Sequence, residues 1–128
     1  MGWNVFVTRK IPDAGLAILR KHCERVDVSP HDRVLTRPEL LAGVPGRDGV
    51  LCLLTDTVDE EVLGAAGPSC RVFANYAVGF NNIDVAAATR RGILVTNTPG
   101  VLSATTADTA WSVRFAVARR VAEADGFF

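Results

Sequence analysis

Short apolar runs alternate along this chain with longer segments in which apolar residues recur every three or four positions. The clearest run, Val50 to Leu54, is apolar at every position and is typical of a strand buried on both faces. No hairpin turn signal separates any two runs, so we expect parallel strands joined by helices. The predicted strands are residues 3–8, 26–29, 48–54, a run that starts at Val72, and 93–96.

Capping residues and stop signals divide the intervening segments into helices. The capping box Thr36-Arg37-Pro38-Glu39 predicts a helix over residues 37–42, which Gly43 ends. Asp84 is predicted to cap a helix over residues 85–91, with Gly92 as its stop. The other predicted helices are Pro12 to Cys23, one that runs from a capping box at 57–60 to Leu63, and Ser103 to Ala124 with a capping box at 105–108.

This alternation of strands and helices indicates an α/β protein. Short right-handed crossovers favour a flavodoxin-like three-layer sandwich, in which helices cover both faces of a five-stranded parallel sheet of order 2-1-3-4-5. The chain has 128 residues, which is the length of one domain, 1–128.

Charge and composition argue against several classes of partner. The 14 basic and 14 acidic residues are interspersed, so no basic stripe indicates nucleic acid and no polybasic run indicates a membrane surface. No apolar segment is long enough for a membrane span or a signal peptide, and we expect a cytoplasmic protein. Cys23, Cys52 and Cys70 lack the spacing of metal ligands and are expected to be small buried hydrophobes.

The segment Asn75 to Asp84 is the best candidate for a functional loop. In an open parallel sheet, ligands bind outside the carboxyl ends of the strands, near the point where the strand order reverses. We expect this segment to meet the loops 9–12 and 55–57 there. Gly79 and the pair Asn81-Asn82 are predicted to supply positive φ angles for a tight turn that approaches a ligand closely.

Two motifs resemble those of a known family. Asn75-Tyr76-Ala77-Val78-Gly79-Phe80-Asn81-Asn82-Ile83-Asp84 is followed by Gly92-Ile93-Leu94-Val95-Thr96-Asn97-Thr98-Pro99-Gly100. In order and spacing, they resemble the signature of the NAD(P)-dependent D-2-hydroxyacid dehydrogenases, and most closely its glyoxylate/hydroxypyruvate reductase branch. The resemblance covers the substrate domain of such an enzyme, whose coenzyme domain would begin beyond Phe128.

The resemblance implies roles for a small set of residues. The backbone amides of Val78 and Gly79 would bind the carboxylate of a 2-keto acid, and the loop Leu54-Thr55-Asp56 would line the same pocket. Neutral amides suit this task because they add no charge that must be desolvated. Asn75 is expected either to support the loop or to take part in binding. Thr106 matches a residue near the cofactor in the family, although taken alone it reads as a helix cap.

The resemblance implies no catalytic residue in this chain. In the family, the catalytic histidine, its carboxylate partner and the substrate-binding arginine come from the coenzyme domain. His22 and His31 are therefore interpreted as solvated or structural.

The cofactor motif is also missing. A dinucleotide site needs G-x-G-x-x-G between a strand and a helix, whereas the nearest run, Gly43 to Gly49, has another spacing and contains Pro45. We expect no cofactor and no metal in this chain, with NAD(P)H used by the intact enzyme. The chain alone is expected to show no turnover and at most weak binding of a small 2-keto or 2-hydroxy acid.

Other interpretations remain open. Ser112 and Arg114 replace the small or aliphatic residues of the family pattern, which suggests an excised, surface-adjusted domain, natural or engineered. The helix 103–124 is a possible homodimer contact. One alternative is a non-catalytic flavodoxin-like module for binding or oligomerisation. Another is a flavin or phosphate binder, although the loop Arg9 to Pro12 lacks the Ser, Thr and Gly residues that would favour it.

Overall fold

Five parallel strands form the sheet of this protein, whose computed structural model describes residues 2–127. The strands are β1 (Asn4–Val7), β2 (Arg25–Val28), β3 (Gly49–Leu53), β4 (Val72–Tyr76) and β5 (Leu94–Thr96). They pair in the order β2-β1-β3-β4-β5, which confirms the predicted order. The helices are α1 (Asp13–His22), α2 (Arg37–Gly43), α3 (Glu60–Ala66), α4 (Val85–Arg90), α5 (Ser103–Ala118) and α6 (Val121–Asp125).

Apolar side chains cover both faces of the sheet because successive strand residues point to opposite sides. In β1, Phe6 belongs to one buried cluster, whereas Val5 and Val7 belong to another. The Phe6 cluster includes residues of α2, α3 and α4. The Val5 cluster includes Leu16 of α1. Helices therefore pack on both sides of the sheet, which confirms the three-layer α/β sandwich.

Helix cover on the α1 side does not extend over the whole sheet. The cluster on that side draws its strand residues from β1, β2 and β3. Further along the sheet, the Tyr76 side chain in β4 is 50% exposed and that of Leu94 in β5 is 68% exposed. In contrast, Phe73 on the opposite face of β4 is fully buried.

The helix α3 begins and ends later than the sequence predicts. Its N-cap is Asp59, whose carboxylate accepts a hydrogen bond from the Val62 amide at 3.1 Å. The prediction of a capping box at Thr57 was wrong, because Val58 pairs with Ile83 in an isolated parallel bridge and holds the chain extended there. The helix also continues through Gly64 and ends before Gly67, which has a φ of 78°.

Ion pairs stabilise the β2 edge of the sheet. The side chains of Arg25 and Arg47 donate hydrogen bonds to the Asp27 carboxylate and lower the pKa of that carboxyl below its usual value. Arg47 also donates to the side-chain oxygen of Asn4 at 2.7 Å.

The chain divides into two units, residues 1–98 and residues 99–128. In the second unit, the predicted single helix from Ser103 to Ala124 is wrong, because Arg120 takes a left-handed conformation with a φ of 54° and separates α5 from α6. The predicted capping box is also wrong. The N-cap of α5 is Leu102, whose carbonyl accepts from the Thr106 amide.

Apolar and polar residues are distributed around the whole of α5 and do not form separate faces. Trp111 and Phe115 stack with their ring centroids 5.7 Å apart, and the Arg114 guanidinium lies over the Trp111 ring. None of the α5 residues is buried. Among residues 2–127, no helix combines the length and the apolar character needed to cross a bilayer.

Candidate functional site

The loops that follow β3 and β4 meet at the carboxyl edge of the sheet. Asn82 joins them, because its side-chain amide donates to the carbonyls of Leu53 at 3.1 Å and Asp56 at 2.9 Å. Its backbone carbonyl accepts from the Val58 amide at 2.9 Å. Two of the three loops that the sequence places together are therefore held to each other by one asparagine.

The buried Asn75 side chain supports the loop after β4. Asn75 is only 2% exposed, and its amide donates to the Gly79 carbonyl at 2.8 Å and to the Asn82 side-chain oxygen at 2.9 Å. A buried carboxamide with both donor hydrogens engaged costs little to bury and fixes the groups that it contacts. The Asn75 amide therefore supports the loop, which is one of the two roles expected for this residue.

The Asp56 carboxylate faces the protein interior. Its Oδ2 accepts from the Thr8 hydroxyl at 2.6 Å and from the Leu53 amide at 2.9 Å. Asp56 is 4% exposed and Thr8 is fully buried. Thr8 directly follows β1, so this bond joins the carboxyl end of β1 to the loop after β3. The end of β1 therefore lies beside the loops that form the predicted site.

Three successive peptide groups of the β4 loop are fixed by their carbonyls. The Ala77 carbonyl accepts from the Thr98 amide at 2.9 Å, the Val78 carbonyl from the Asn97 side chain at 2.7 Å, and the Gly79 carbonyl from Asn75. All peptide bonds among residues 2–127 are trans, so each carbonyl points opposite to the amide of the next residue. Fixing the Ala77 and Val78 carbonyls therefore also fixes the directions of the Val78 and Gly79 amides.

The Val78 and Gly79 amides, unlike the carbonyls that precede them, are not engaged within the described residues. Within residues 2–127, neither amide has a backbone or side-chain acceptor. Val78 is 39% exposed, so its amide lies in a surface segment that solvent or a ligand can reach. Fixed, unpaired backbone amides are suitable partners for a small anion.

The prediction of positive φ angles at Gly79 and at the Asn81-Asn82 pair was wrong. Among the described residues, positive φ occurs at Arg120 and at four other glycines, and not in this loop. The absent side chain still keeps the loop open, because a Cβ on Gly79 would lie 3.3 Å from the Asn81 side-chain oxygen and 3.9 Å from Leu54 Cδ1. The 3.9 Å distance places Leu54 next to the Gly79 backbone. The Leu54 residue is 51% exposed.

Behind the loops lies Cys52, which is fully buried in β3. Burial, reinforced by the negative charge of Asp56, raises the pKa of the Cys52 thiol to about 12. Its Sγ lies 3.5 Å from the Asn75 side-chain oxygen. A protonated, buried thiol is not a nucleophile at neutral pH, in keeping with the interpretation of Cys52 as a small core residue.

The remaining predicted residues are all exposed. Thr55 is exposed in the β3 loop. His22 is the last residue of α1, and the ring of His31 lies 3.5 Å from a Glu39 carboxylate oxygen. Thr106 lies in the first turns of α5 and is exposed.

The roles of four residues that organise the site were not predicted from the sequence. Thr8, Asn82, Asn97 and Thr98 each hold a loop backbone or a loop side chain in place. Their shared feature is their position, since each follows a strand or lies in the loop beyond it. The rule that ligands bind at the carboxyl edge of a parallel sheet could have drawn attention to them.

The glycine run between α2 and β3 does not fit a dinucleotide. Gly43 is the last residue of α2, Gly46 lies in a turn with a φ of 69°, and Gly49 is the first residue of β3. A pyrophosphate cradle needs a glycine loop that opens a helix, whereas this run leads into a strand. This glycine run therefore offers no dinucleotide cradle.

A family model matches most of this chain. Residues 5–124 match the model of the D-isomer specific 2-hydroxyacid dehydrogenase, catalytic domain. The chain belongs to this family. The finding confirms the resemblance carried by the two sequence motifs.

Relatives within the D-isomer specific 2-hydroxyacid dehydrogenases are longer than this chain. A glyoxylate reductase of Thermococcus kodakarensis is 51% identical over 124 residues, which cover 97% of this chain and 37% of the relative. A glyoxylate reductase of Korarchaeum cryptofilum is 49% identical with the same coverage. The chain thus spans a little over a third of the length of these relatives.

A solved structure shares the fold of this chain. A crystal structure of a Thermus thermophilus protein matches 97% of this chain and 39% of its own, with 39% identity and a TM-score of 0.85. Dehydrogenases of this family depend on NAD(P). The described residues of this chain supply the substrate-domain fold of such an enzyme.

Proposed function

We propose that this chain is the substrate domain of a 2-hydroxyacid dehydrogenase that reduces a small 2-keto acid such as glyoxylate. The free, fixed amides of Val78 and Gly79 would bind the carboxylate of the substrate. The observation that carries this proposal is that both amides lack a protein acceptor among residues 2–127 while the carbonyls bonded to them are held in place.

The chemistry of the loop suits a carboxylate. A carboxylate accepts two or more hydrogen bonds. Backbone amides donate them without introducing a positive charge that would have to be desolvated. Leu54 and Thr55 would form the wall beside the amides. The half-exposed Leu54 side chain next to Gly79 favours a substrate with a small group beyond its carbonyl carbon.

Relatives support the choice of glyoxylate as the first substrate to test. The two relatives described above carry the name glyoxylate reductase at about half identity over nearly the whole of this chain. We therefore propose the same substrate class for the intact protein. Hydroxypyruvate, a slightly larger 2-keto acid, is the natural comparison.

The part of the reaction that this chain performs would be binding and orientation. Reducing a 2-keto acid requires a hydride donor and a proton donor, and the glycine run of this chain does not fit a dinucleotide. We propose that residues 1–128 hold the substrate while NAD(P)H and the catalytic acid are bound elsewhere in the whole enzyme. The chain alone would bind the substrate weakly, because a half-site makes few contacts to offset the entropy lost on association.

The test is a titration of the chain with glycolate, followed through backbone amide resonances in NMR spectra. We expect saturable shifts at Val78 and Gly79, with smaller shifts at residues 54–57. Glycolamide is the matched control, because it has the same size and lacks the negative charge; it should give little or no shift at equal concentration.

Three results would contradict the proposed function. A flat glycolate titration on a folded, well-dispersed spectrum would overturn carboxylate binding and favour a non-catalytic module. Equal shifts with glycolamide would show that the loop does not recognise the carboxylate. Shifts with inorganic phosphate at the carboxyl edge, and none with glycolate, would favour a phosphate binder.

A further inference from the structure

Asn97 is the first residue after β5, and its side chain reaches across to the loop after β4. Its Nδ2 donates to the Val78 carbonyl at 2.7 Å. We propose that Asn97 is a positioning residue of the carboxylate site, which holds the Gly79 amide in the direction that binds the ligand. This inference rests on the proposed function.

The geometry of the peptide group makes this role specific. The Val78 carbonyl and the Gly79 amide belong to one planar trans unit, so rotating one rotates the other. Without a partner for the carbonyl, that unit could turn about its flanking single bonds and direct the amide away from the ligand. Loop segments with few such ties move on timescales from nanoseconds upwards, and the nanosecond part of that motion lowers the 15N order parameter. Such motion would also lower affinity for a small anion.

The two residues that follow β5 fix two successive peptide groups of the loop after β4. Thr98, the next residue, donates its backbone amide to the Ala77 carbonyl at 2.9 Å. That bond orients the Val78 amide in the way that Asn97 orients the Gly79 amide. The first bond comes from the backbone and survives any substitution except proline, whereas the second depends on the carboxamide at position 97.

Asn97 is better suited to a test than Asn75. The Asn75 side chain is buried and also bonds to Asn82, so its loss would disturb the join between two loops. The Asn97 side chain is half-buried and makes one hydrogen bond among the described residues. Replacing it should therefore change the orientation of one peptide group and little else.

Three variants of the chain separate positioning from general stability. Asn97→Leu removes the donor at similar volume, and Asn97→Gln retains a carboxamide that can reach the same carbonyl. Asn4→Leu is the control at the amino end of β1, because it also removes a side-chain donor to a loop carbonyl, that of Gly46 at 3.2 Å, together with the acceptor of the Arg47 bond. For each variant, the glycolate dissociation constant and the 15N relaxation order parameter of Gly79 without ligand are measured.

The expected results are specific to position 97. Asn97→Leu should weaken glycolate binding about three- to tenfold, the range that one hydrogen bond supplies. It should also lower the order parameter of Gly79. Asn97→Gln should recover part of both, and Asn4→Leu should change neither.

The outcomes distinguish this inference from the proposed function. If the unmodified chain binds glycolate and Asn97→Leu binds it equally well, Asn97 is not a positioning residue and the carboxylate site stands. If the unmodified chain does not bind glycolate, the proposed function fails, and an unchanged order parameter of Gly79 in Asn97→Leu would overturn the positioning role as well. If Asn97→Leu does not fold, rapid exchange of the Asn97 carboxamide hydrogens in the unmodified chain would count against the bond.

Discussion

The bond between Thr8 and Asp56 should be one of the strongest single side-chain contacts in the sheet. It joins a fully buried hydroxyl to a carboxylate that is 4% exposed, over 2.6 Å. Thr8→Val removes the hydroxyl at nearly constant volume. Asp56→Ala removes the acceptor and leaves the Thr8 hydroxyl and the Leu53 amide without it.

The expected magnitudes follow from the burial of these groups. A hydrogen bond to a charged acceptor contributes about 1.5–3 kcal/mol, and each buried donor left unpaired costs about 1–3 kcal/mol. We therefore expect Thr8→Val to cost about 2 kcal/mol and Asp56→Ala about 4 kcal/mol. Once Asp56 is absent, removing the unpaired Thr8 hydroxyl costs nothing further, so the double variant should cost no more than about 4 kcal/mol and the coupling should be at least about 2 kcal/mol.

Urea unfolding of the four proteins, followed by far-UV circular dichroism, measures this coupling. Circular dichroism is preferable to fluorescence because Trp3 and Trp111 are 44% and 54% exposed and would report weakly on burial. A coupling below about 0.5 kcal/mol would refute the interpretation that Thr8 and Asp56 form a buried pair. A change in the glycolate dissociation constant of Thr8→Val, measured with the loop still folded, would show that the bond between Thr8 and Asp56 also positions the loop for ligand binding.

Three further predictions follow from local geometry. Gly92→Ala should cost about 1 kcal/mol, because a φ of 68° strains any residue with a Cβ, and an unchanged urea midpoint would argue against that backbone. Iodoacetamide should modify the partly exposed Cys23 before the fully buried Cys52, whose thiol has a pKa of about 12, and mass spectrometry that found equal rates would contradict the buried position. Because the folded pKa of Asp27 lies below its ordinary value of 3.8, its contribution to stability is present above that pH and is lost as the pH falls towards the folded pKa. Asp27→Asn should therefore flatten the acid side of the stability profile, and identical profiles for the two proteins would exclude this contribution.

The sheet could be predicted from the sequence because its strands are short, apolar and separated by clear stop signals. Every predicted strand bound lies within one residue of the observed bound where a bound was given. The N-cap at Asp84 was also correct, since its carboxylate accepts from the Ala87 amide at 2.9 Å. These features depend on local chemistry, which a single sequence contains.

Errors occurred where a tertiary contact overrode a local signal. The capping box at Thr57 was a reasonable local pattern, but the bridge between Val58 and Ile83 moved the start of α3 to Glu60. The break after α5 lies at Arg120, a residue that rarely takes a left-handed conformation and so provides no stop signal.

The candidate loop could be placed at the carboxyl edge of the sheet from the sequence, but its internal bonds could not. Val78 and Gly79 were placed by a motif, and the carboxyl-edge rule predicted which loops would approach one another. That Asp56 turns inward to Thr8, or that Asn97 reaches the Val78 carbonyl, depends on side-chain directions set by the packed sheet. A linear pattern does not specify such directions.

The loop after β4 depends on asparagine side chains and is therefore sensitive to deamidation. Asn75, Asn82 and Asn97 all act through donor hydrogens on carboxamide nitrogens. Hydrolysis of a carboxamide, to which asparagine is prone on heating, produces a carboxylate that can only accept at neutral pH. Deamidation at Asn97 would replace an attraction to the Val78 carbonyl with a repulsion and place a negative charge beside an anion site. A preparation could thus lose ligand affinity during storage while its sheet remained folded and its circular dichroism spectrum unchanged.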